Sequence, residues 1–155
     1  MQIRPGSKTD VPGAFALIKE LAAFERALDE VDNTLEDMLK DGFNDNPSFG
    51  FFVAEEHDVI IGLALYYFRY STWKGRALYL EDIVVTQAQR GRGIGKLLFD
   101  QIVNKAKAEN VHGISWQVLE WNEPAIAFYK KLNAAMDAEW INCRLSKQQI
   151  FAYGD

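Results

Sequence analysis

One cysteine, Cys143, and two histidines, His57 and His112, are the only thiol and imidazole groups in the 155 residues. A lone cysteine closes no internal disulfide. The histidines lie far apart with no Cys or His nearby at metal-ligand spacing, which excludes a structural metal site. Basic charge is also scarce: 17 Lys and Arg against 22 Asp and Glu leave a net −5. A chain of that balance does not draw its affinity from neutralising phosphates, so no nucleic-acid partner is expected. No apolar run approaches the ~20 residues of a membrane span, and Met1-Gln2-Ile3-Arg4-Pro5 lacks the apolar stretch of a secretory signal. The reading is a cytoplasmic, reduced protein without a membrane partner. Repeats and low-complexity tracts are absent as well.

What remains is ordinary globular material, 48% apolar and 25% charged. The length suits one domain over 1–155, able to remove roughly 70% of its unfolded surface from water. Asp10 before Val11-Pro12 reads as an N-cap with an early-helix proline. Phe15, Ile18, Leu21 and Ala22 then recur at helical steps, predicting a helix over 11–25. Thr34-Leu35-Glu36-Asp37 resembles a capping box with Asp in the last place, opening a short helix that Gly42 closes. Residues 25–45 hold eight acids against two bases. Such a segment is either a solvated face or a surface that draws in cations.

Phe49 to Ala54 and Val59 to Tyr70 are rich in aromatic and β-branched residues, and Glu55-Glu56-His57-Asp58 between them suits a hairpin turn. Ala77 to Thr86 reads as a third strand. The period then changes. Arg90-Gly91-Arg92-Gly93-Ile94-Gly95 leads into a helical pattern ending near Asn110, and Ile114 to Leu119 supplies a strand parallel to the third. Asn122-Glu123-Pro124 opens a helix through Leu132, and Trp140 to Leu145 reads as a last strand. The order implies an α+β (mixed α/β) fold with a mostly antiparallel sheet, one parallel pair, and helices on both faces.

Three places carry chemistry. Glycines where a strand meets a helix N-terminus let backbone N–H groups close around an anion, with Arg92 and Lys96 adding charge; a tight turn without ligand needs glycines too. Neither the P-loop nor the dinucleotide fingerprint fits, which leaves an Arg-x-x-Gly-x-Gly pyrophosphate cradle. In Leu78-Tyr79-Leu80-Glu81-Asp82-Ile83-Val84-Val85, alternation sends two adjacent carboxylates to opposite faces. The arrangement persists if a bulge relaxes the alternation or the covered acid is paired, or if that acid stands in a cleft as a base. Tyr129, on the helix after Asn122, is either an amphipathic core residue or a proton donor. Cys143 reads as packing rather than as an acyl-carrying nucleophile, since no histidine neighbours it.

Taken in order, Leu80-Glu81-Asp82-Ile83-Val84-Val85, Arg90 to Gly95, and Glu120-Trp121-Asn122-Glu123-Pro124 through Phe128-Tyr129 resemble the GCN5-related N-acetyltransferases. The stretches Leu17 to Ala22, Lys40 to Phe43 and Tyr66-Tyr67-Phe68 bring the resemblance closer to the spermidine/spermine N1-acetyltransferase branch. It implies transfer of an acetyl group from acetyl-CoA, with CoA as product, to a primary amine by direct attack, on a sheet whose parallel pair splays to admit the cofactor. Ile83, Val84 and Val85 would offer strand backbone to the pantetheine arm, and Arg90, Gly91, Arg92, Gly93, Ile94, Gly95 and Lys96 would hold the pyrophosphate. Asn122, Tyr129 and Lys131 would complete the cofactor contacts.

In the same reading Tyr129 protonates the leaving thiolate, an amide near Val84 polarises the carbonyl, and Glu81 binds or deprotonates the amine. Phe24, Glu25, Glu81, Asp82, Trp116 and Glu139 would line the acceptor site. The acid-rich segment favours a diamine or polyamine. The alternatives are a basic amino acid, thialysine or a protein amine as acceptor, or a non-catalytic acyl-CoA-binding module. Kinship also implies a homodimer.

Overall fold

The computed structural model describes residues 1–154 and divides the chain into two units, Met1–Gln117 and a second beginning at Val118. The first unit is built on five strands in sequence order: β1 (Gln2–Pro5), β2 (Gly50–Glu56), β3 (Val59–Ser71), β4 (Gly75–Val85) and β5 (Ile114–Ser115). Neighbours are antiparallel except β4 and β5, which run parallel at Leu78↔Ile114 and Tyr79↔Ser115. Helices α1 (Val11–Phe24), α2 (Leu35–Gly42) and α3 (Ile94–Ala108) complete it, with one-turn 3₁₀ helices at Lys8–Asp10, Leu28–Glu30 and Gln87–Gln89.

Strand alternation sorts the core into two layers. On one face Val53, Leu63, Leu65 and Val84 pack with Val11, Ala14 and Leu17 of α1 and Met38 of α2. On the other, α3 supplies Ile94, Leu98, Phe99 and Ile102, all buried. The helix comes close because Gly62 has no side chain: a Cβ there would stand 3.0 Å from Leu98 Cδ1 and 3.1 Å from Ala54 Cβ. Each such Leu or Ile contributes about 1.5–3 kcal/mol by leaving water, so a one-residue slip of β3, which would turn Leu63 and Leu65 to the wrong face, is strongly disfavoured.

The hairpin between β2 and β3 is tighter than its polar stretch suggests. Glu55 and Glu56 belong to the strand, and His57 and Asp58, at φ 51° and 61°, are the two central residues of the turn. Two positive-φ residues between paired strands match a type I′ turn, whose twist suits the flanking strands. Asp10 precedes α1 as expected, yet its carboxylate makes no cap bond. It accepts from Arg4 at 2.7 and 2.8 Å and from the Ser7 amide and hydroxyl, and the guanidinium holds it well below the usual carboxylate range. Thr34 does cap α2, accepting from the Asp37 amide at 3.1 Å.

The second unit contains α4 (Glu123–Lys131) and α5 (Lys147–Phe151). Asn122 caps α4 by accepting from the Ala125 amide at 3.2 Å. The helix ends in a Schellman motif: Asn133 at φ 57° donates to Lys130 O and Ala134 donates to Tyr129 O. One expected strand is shortened and another is absent among the described residues. Ladder pairing with β4 stops at Ser115 rather than Leu119, and Trp140 to Leu145 pairs with no strand among the described residues. Trp140 and Ile141 are 78% and 88% exposed, so these apolar side chains gain no burial, and without a ladder the backbone has nothing to hold it extended. No helix among the described residues is long and apolar enough to cross a membrane.

Candidate active site

The glycine loop sits at the head of α3. Gly91 and Gly93 adopt φ 80° and 79°, and Gly93 is the residue from which the helix starts. A Cβ at either would meet nothing within 4 Å, so it is the left-handed torsion and not space that calls for glycine. The first bond within the helix runs from Leu97 N to Gly93 O. The amides of Ile94, Gly95 and Lys96 therefore lie in the first turn, where no intrahelical acceptor exists, and point outward with the positive end of the helix dipole. Donors so placed are what an anion such as a diphosphate could accept hydrogen bonds from.

The loop is anchored on both flanks. Arg90 donates from Nε to Val85 O at 3.0 Å, and its guanidinium lies 5.1 Å from the Phe24 ring centre. Glu20 of α1 accepts from Thr86 Oγ1 at 2.8 Å and from the Gln87 amide at 2.7 Å. Arg92 is held by both carboxylate oxygens of Glu56 and by Gln89, and Lys96 by Asp100 at 2.5 Å. Of the three cations expected at the pyrophosphate, Arg92 and Lys96 are thus paired with carboxylates of the chain itself, and Arg90 with a backbone carbonyl. Phe24, expected at the acceptor, lies under the cradle's Arg90.

Beside the loop, β4 has one bare edge. Its partner β5 accompanies it only at Leu78 and Tyr79, whereas β3 follows it through Val85. From Leu80 to Val85 the groups facing away from β3 have no strand partner among the described residues. Ile83, Val84 and Val85 lie on that stretch. Val84 turns its side chain into the α1 core, and Val85 O is the acceptor for Arg90.

The two carboxylates do not divide between the faces as simple alternation requires. Opposite them the register jumps, Leu65 pairing with Asp82 and Tyr66 with Leu80, so Glu81 is the extra residue of a β-bulge. Glu81 is exposed, Asp82 is largely covered, and both act electrostatically on Tyr79. Burial, helped by the neighbouring charges of Glu81 and Glu25, raises Asp82 from 3.8 to about 6. Glu25, at the C-terminal end of α1, is itself raised by burial. Glu25 and the adjacent pair Glu81-Asp82, from two distant parts of the sequence, therefore lie within electrostatic reach of one another, and Asp82 is the covered member. Of the acid-rich segment 25–45, Glu25 is the member brought here; Glu36 and Asp37 sit in the first turn of α2.

Sequence reasoning missed the aromatic floor of this cluster. Tyr67 and Tyr79 are directly opposite on β3 and β4, ring centres 5.2 Å apart, and Glu81 raises both phenols on top of their partial burial. Arg69, two residues along the same face, holds its guanidinium 5.6 Å from the Tyr79 ring centre. The signal was available: Tyr67 and Arg69 share parity on one strand, as Leu63 and Leu65 do, but pairing them with Tyr79 needs the register.

Trp116 does not join the acceptor cluster. Its ring meets Phe99 of α3 edge to face at 5.5 Å, and it lines a shallow cavity of about 530 Å³ with Val103, Ala106 and Ile114 on the α3 face of the sheet. The reason is parity: Ile114 opposes Leu78 in the α3 layer, and Trp116 lies two residues further along. In the second unit Tyr129 is 6% exposed, its ring 5.3 Å from that of Phe128, and Asn122 is 8% exposed with its oxygen committed to the helix cap. Lys131, in the last turn of α4, and Glu139, whose amide donates to Asp137, are exposed.

Comparison with known proteins adds a common theme. The acetyltransferase (GNAT) family profile matches residues 15–134. Human spermidine/spermine N(1)-acetyltransferase-like protein 1 is 36% identical over 96% of the chain, which spans 23% of that longer protein. The bovine thialysine N-epsilon-acetyltransferase is also 36% identical, over 92% of this chain and 90% of its own. Among solved structures, aminoglycoside N-acetyltransferase AAC(6')-Iy in complex with CoA superposes with a TM-score of 0.70 over 94% of this chain and 99% of that one; at 20% identity it speaks for the fold.

Proposed function

The chain belongs to the acetyltransferase (GNAT) family, whose members use acetyl-CoA, and from that premise we propose that it acetylates a primary amine of a small cationic molecule. The observation that carries this reading is Asp82, a covered carboxylate flanked by Glu81 and Glu25, on the strand whose other edge is bare beside the glycine loop. Diamines, polyamines and basic amino acids all fall within the class. The spermidine/spermine and thialysine relatives are named for acceptors of this kind. A polycation preference based on segment 25–45 is narrowed to one carboxylate, Glu25.

Acetyl-CoA supplies an activated thioester carbonyl. The chain's part is to hold, orient and move protons. The first-turn amides of Ile94, Gly95 and Lys96, with Gly91 and Gly93 shaping the loop, would take the diphosphate; the bare edge at Ile83, Val84 and Val85 would take the amide-bearing arm, and the amide near Val84 would polarise the carbonyl. An alkylamine arrives as ammonium with a pKa of about 10 and cannot attack until it loses a proton. Glu81, exposed at the bulge, binds the ammonium, and Asp82 accepts the proton, directly or through water. By the resemblance, Asn122 and Lys131 would complete the cofactor contacts, and Tyr129 would be the proton donor to the departing sulfur.

The test is CoA release from acetyl-CoA across a panel of amines, with Tyr129→Phe beside the unmodified chain. The expected result is turnover with at least one small amine, lost by tenfold or more in Tyr129→Phe while CoA affinity is kept. Binding of CoA without turnover on any amine would identify a binding module instead.

A further inference from the structure

Arg69 lacks the carboxylate partner that three other arginines of the first unit have. Arg4 is spent on Asp10 and Glu55, Arg76 on Glu109, and Arg92 on Glu56. Arg69 forms no ion pair among the described residues. Its exposed guanidinium rests on the face of Tyr79, within the electrostatic reach of both Tyr67 and Tyr79. A cation laid on a ring is oriented at small cost and keeps its hydrogen-bonding fork for a ligand.

Its position relative to the acids is set by the ladder. Arg69 lies four residues along β3 from Leu65, the partner of Asp82, which at ~3.3 Å per residue separates the two backbone positions by roughly 13 Å. Tyr67 and Tyr79, opposite each other, occupy the rung between on that face. The face is therefore bipolar, with carboxylates at one end, an apolar aromatic stretch in the middle and an unpaired guanidinium at the other end. A molecule that fits carries an ammonium at one end of an aliphatic chain and a carboxylate at the other. The Arg69 guanidinium leans back over Tyr79, so the charged groups stand closer together than the two backbone positions, within reach of an extended basic amino acid whose ammonium and carboxylate lie about 7 Å apart.

Resting on the amine-acetylation reading above, we propose that Arg69 is a specificity-determining residue that receives the acceptor's carboxylate, so that the protein selects basic amino acids over diamines and polyamines. An acceptor with an ammonium at both ends would set its second charge against the guanidinium. Like charges there reject it, which is selection by repulsion as well as by attraction.

The experiment compares matched pairs that differ only in the carboxylate: lysine with cadaverine and ornithine with putrescine, measured as initial rates at saturating acetyl-CoA. The unmodified protein is expected to favour the amino acid of each pair. In Arg69→Gln, kcat/KM for the amino acid should fall about tenfold or more, chiefly through KM, while the diamine is unchanged or improved; its turnover doubles as the check that the variant is folded. Arg69→Lys should retain part of the preference, because charge survives without the fork. Equal losses on both members of a pair, or an unmodified protein that takes the diamine as readily, would overturn the role of Arg69 and leave amine acetylation standing. Absence of turnover on every amine, spermidine included, would instead bring down the underlying reading.

Discussion

Arg92 and Glu56 form a two-point ion pair, Nη2 to Oε1 at 2.9 Å and Nη1 to Oε2 at 3.0 Å, joining the glycine loop to the end of β2. The arginine draws Glu56 below the ordinary carboxylate range. A diphosphate on the loop would compete with that carboxylate for the same guanidinium. Glu56→Gln should therefore tighten CoA binding by about threefold at low salt, with the gain shrinking as ionic strength rises, because exposed pairs are screened. Calorimetric titration at two salt concentrations reads this. Weaker binding in the variant would mean that Glu56 positions Arg92 for the ligand.

Asp82 links stability to activity through pH. Its folded-state value, about 6, lies above the 3.8 of an unperturbed side chain. The native protein therefore holds the extra proton between those values. Stability is greatest below pH 3.8 as far as this group is concerned, and it is lost as pH rises through about 6. At pH 7.5 Asp82→Asn should stabilise the fold by about 1–2 kcal/mol, with little gain at pH 3.5, read from denaturant midpoints. The same change should cost 10²-fold or more in kcat/KM and remove the acid limb near pH 6. Glu81→Gln removes a like charge, so the limb should move to lower pH. An Asp82→Asn enzyme with an unaltered pH profile would exclude Asp82 as the proton acceptor.

Gly93 and Gly75 separate a turn from a cradle. Both have positive φ, 79° and 92°, and both have open space where a Cβ would go. Alanine at either should cost about 1–2 kcal/mol of stability through backbone torsion alone. CoA affinity should fall only in Gly93→Ala. Equal affinity in both variants would reduce the Arg90 to Gly95 loop to a strand-to-helix connection.

What was legible from the residues followed short periods. The helix from Val11, the caps at Thr34 and Asn122, and the glycine loop feeding α3 all rest on contacts within one or two turns. The expected strand at Trp140 to Leu145 failed for the complementary reason: β-branched and aromatic residues favour a strand only where a neighbour supplies the ladder.

By itself, then, the sequence determined most of the elements, the family and the glycine loop at the head of α3, because backbone torsions and local hydrogen bonds depend on neighbours along the chain. Only the tertiary structure decided which of two adjacent carboxylates is covered, that Trp116 belongs to the α3 layer, and that Arg69 and Tyr79 share a face with Glu81. Those outcomes turn on register and one bulge. A single extra residue in a strand changes the face of every side chain beyond it, and nothing local to Glu81-Asp82 announces where that residue falls.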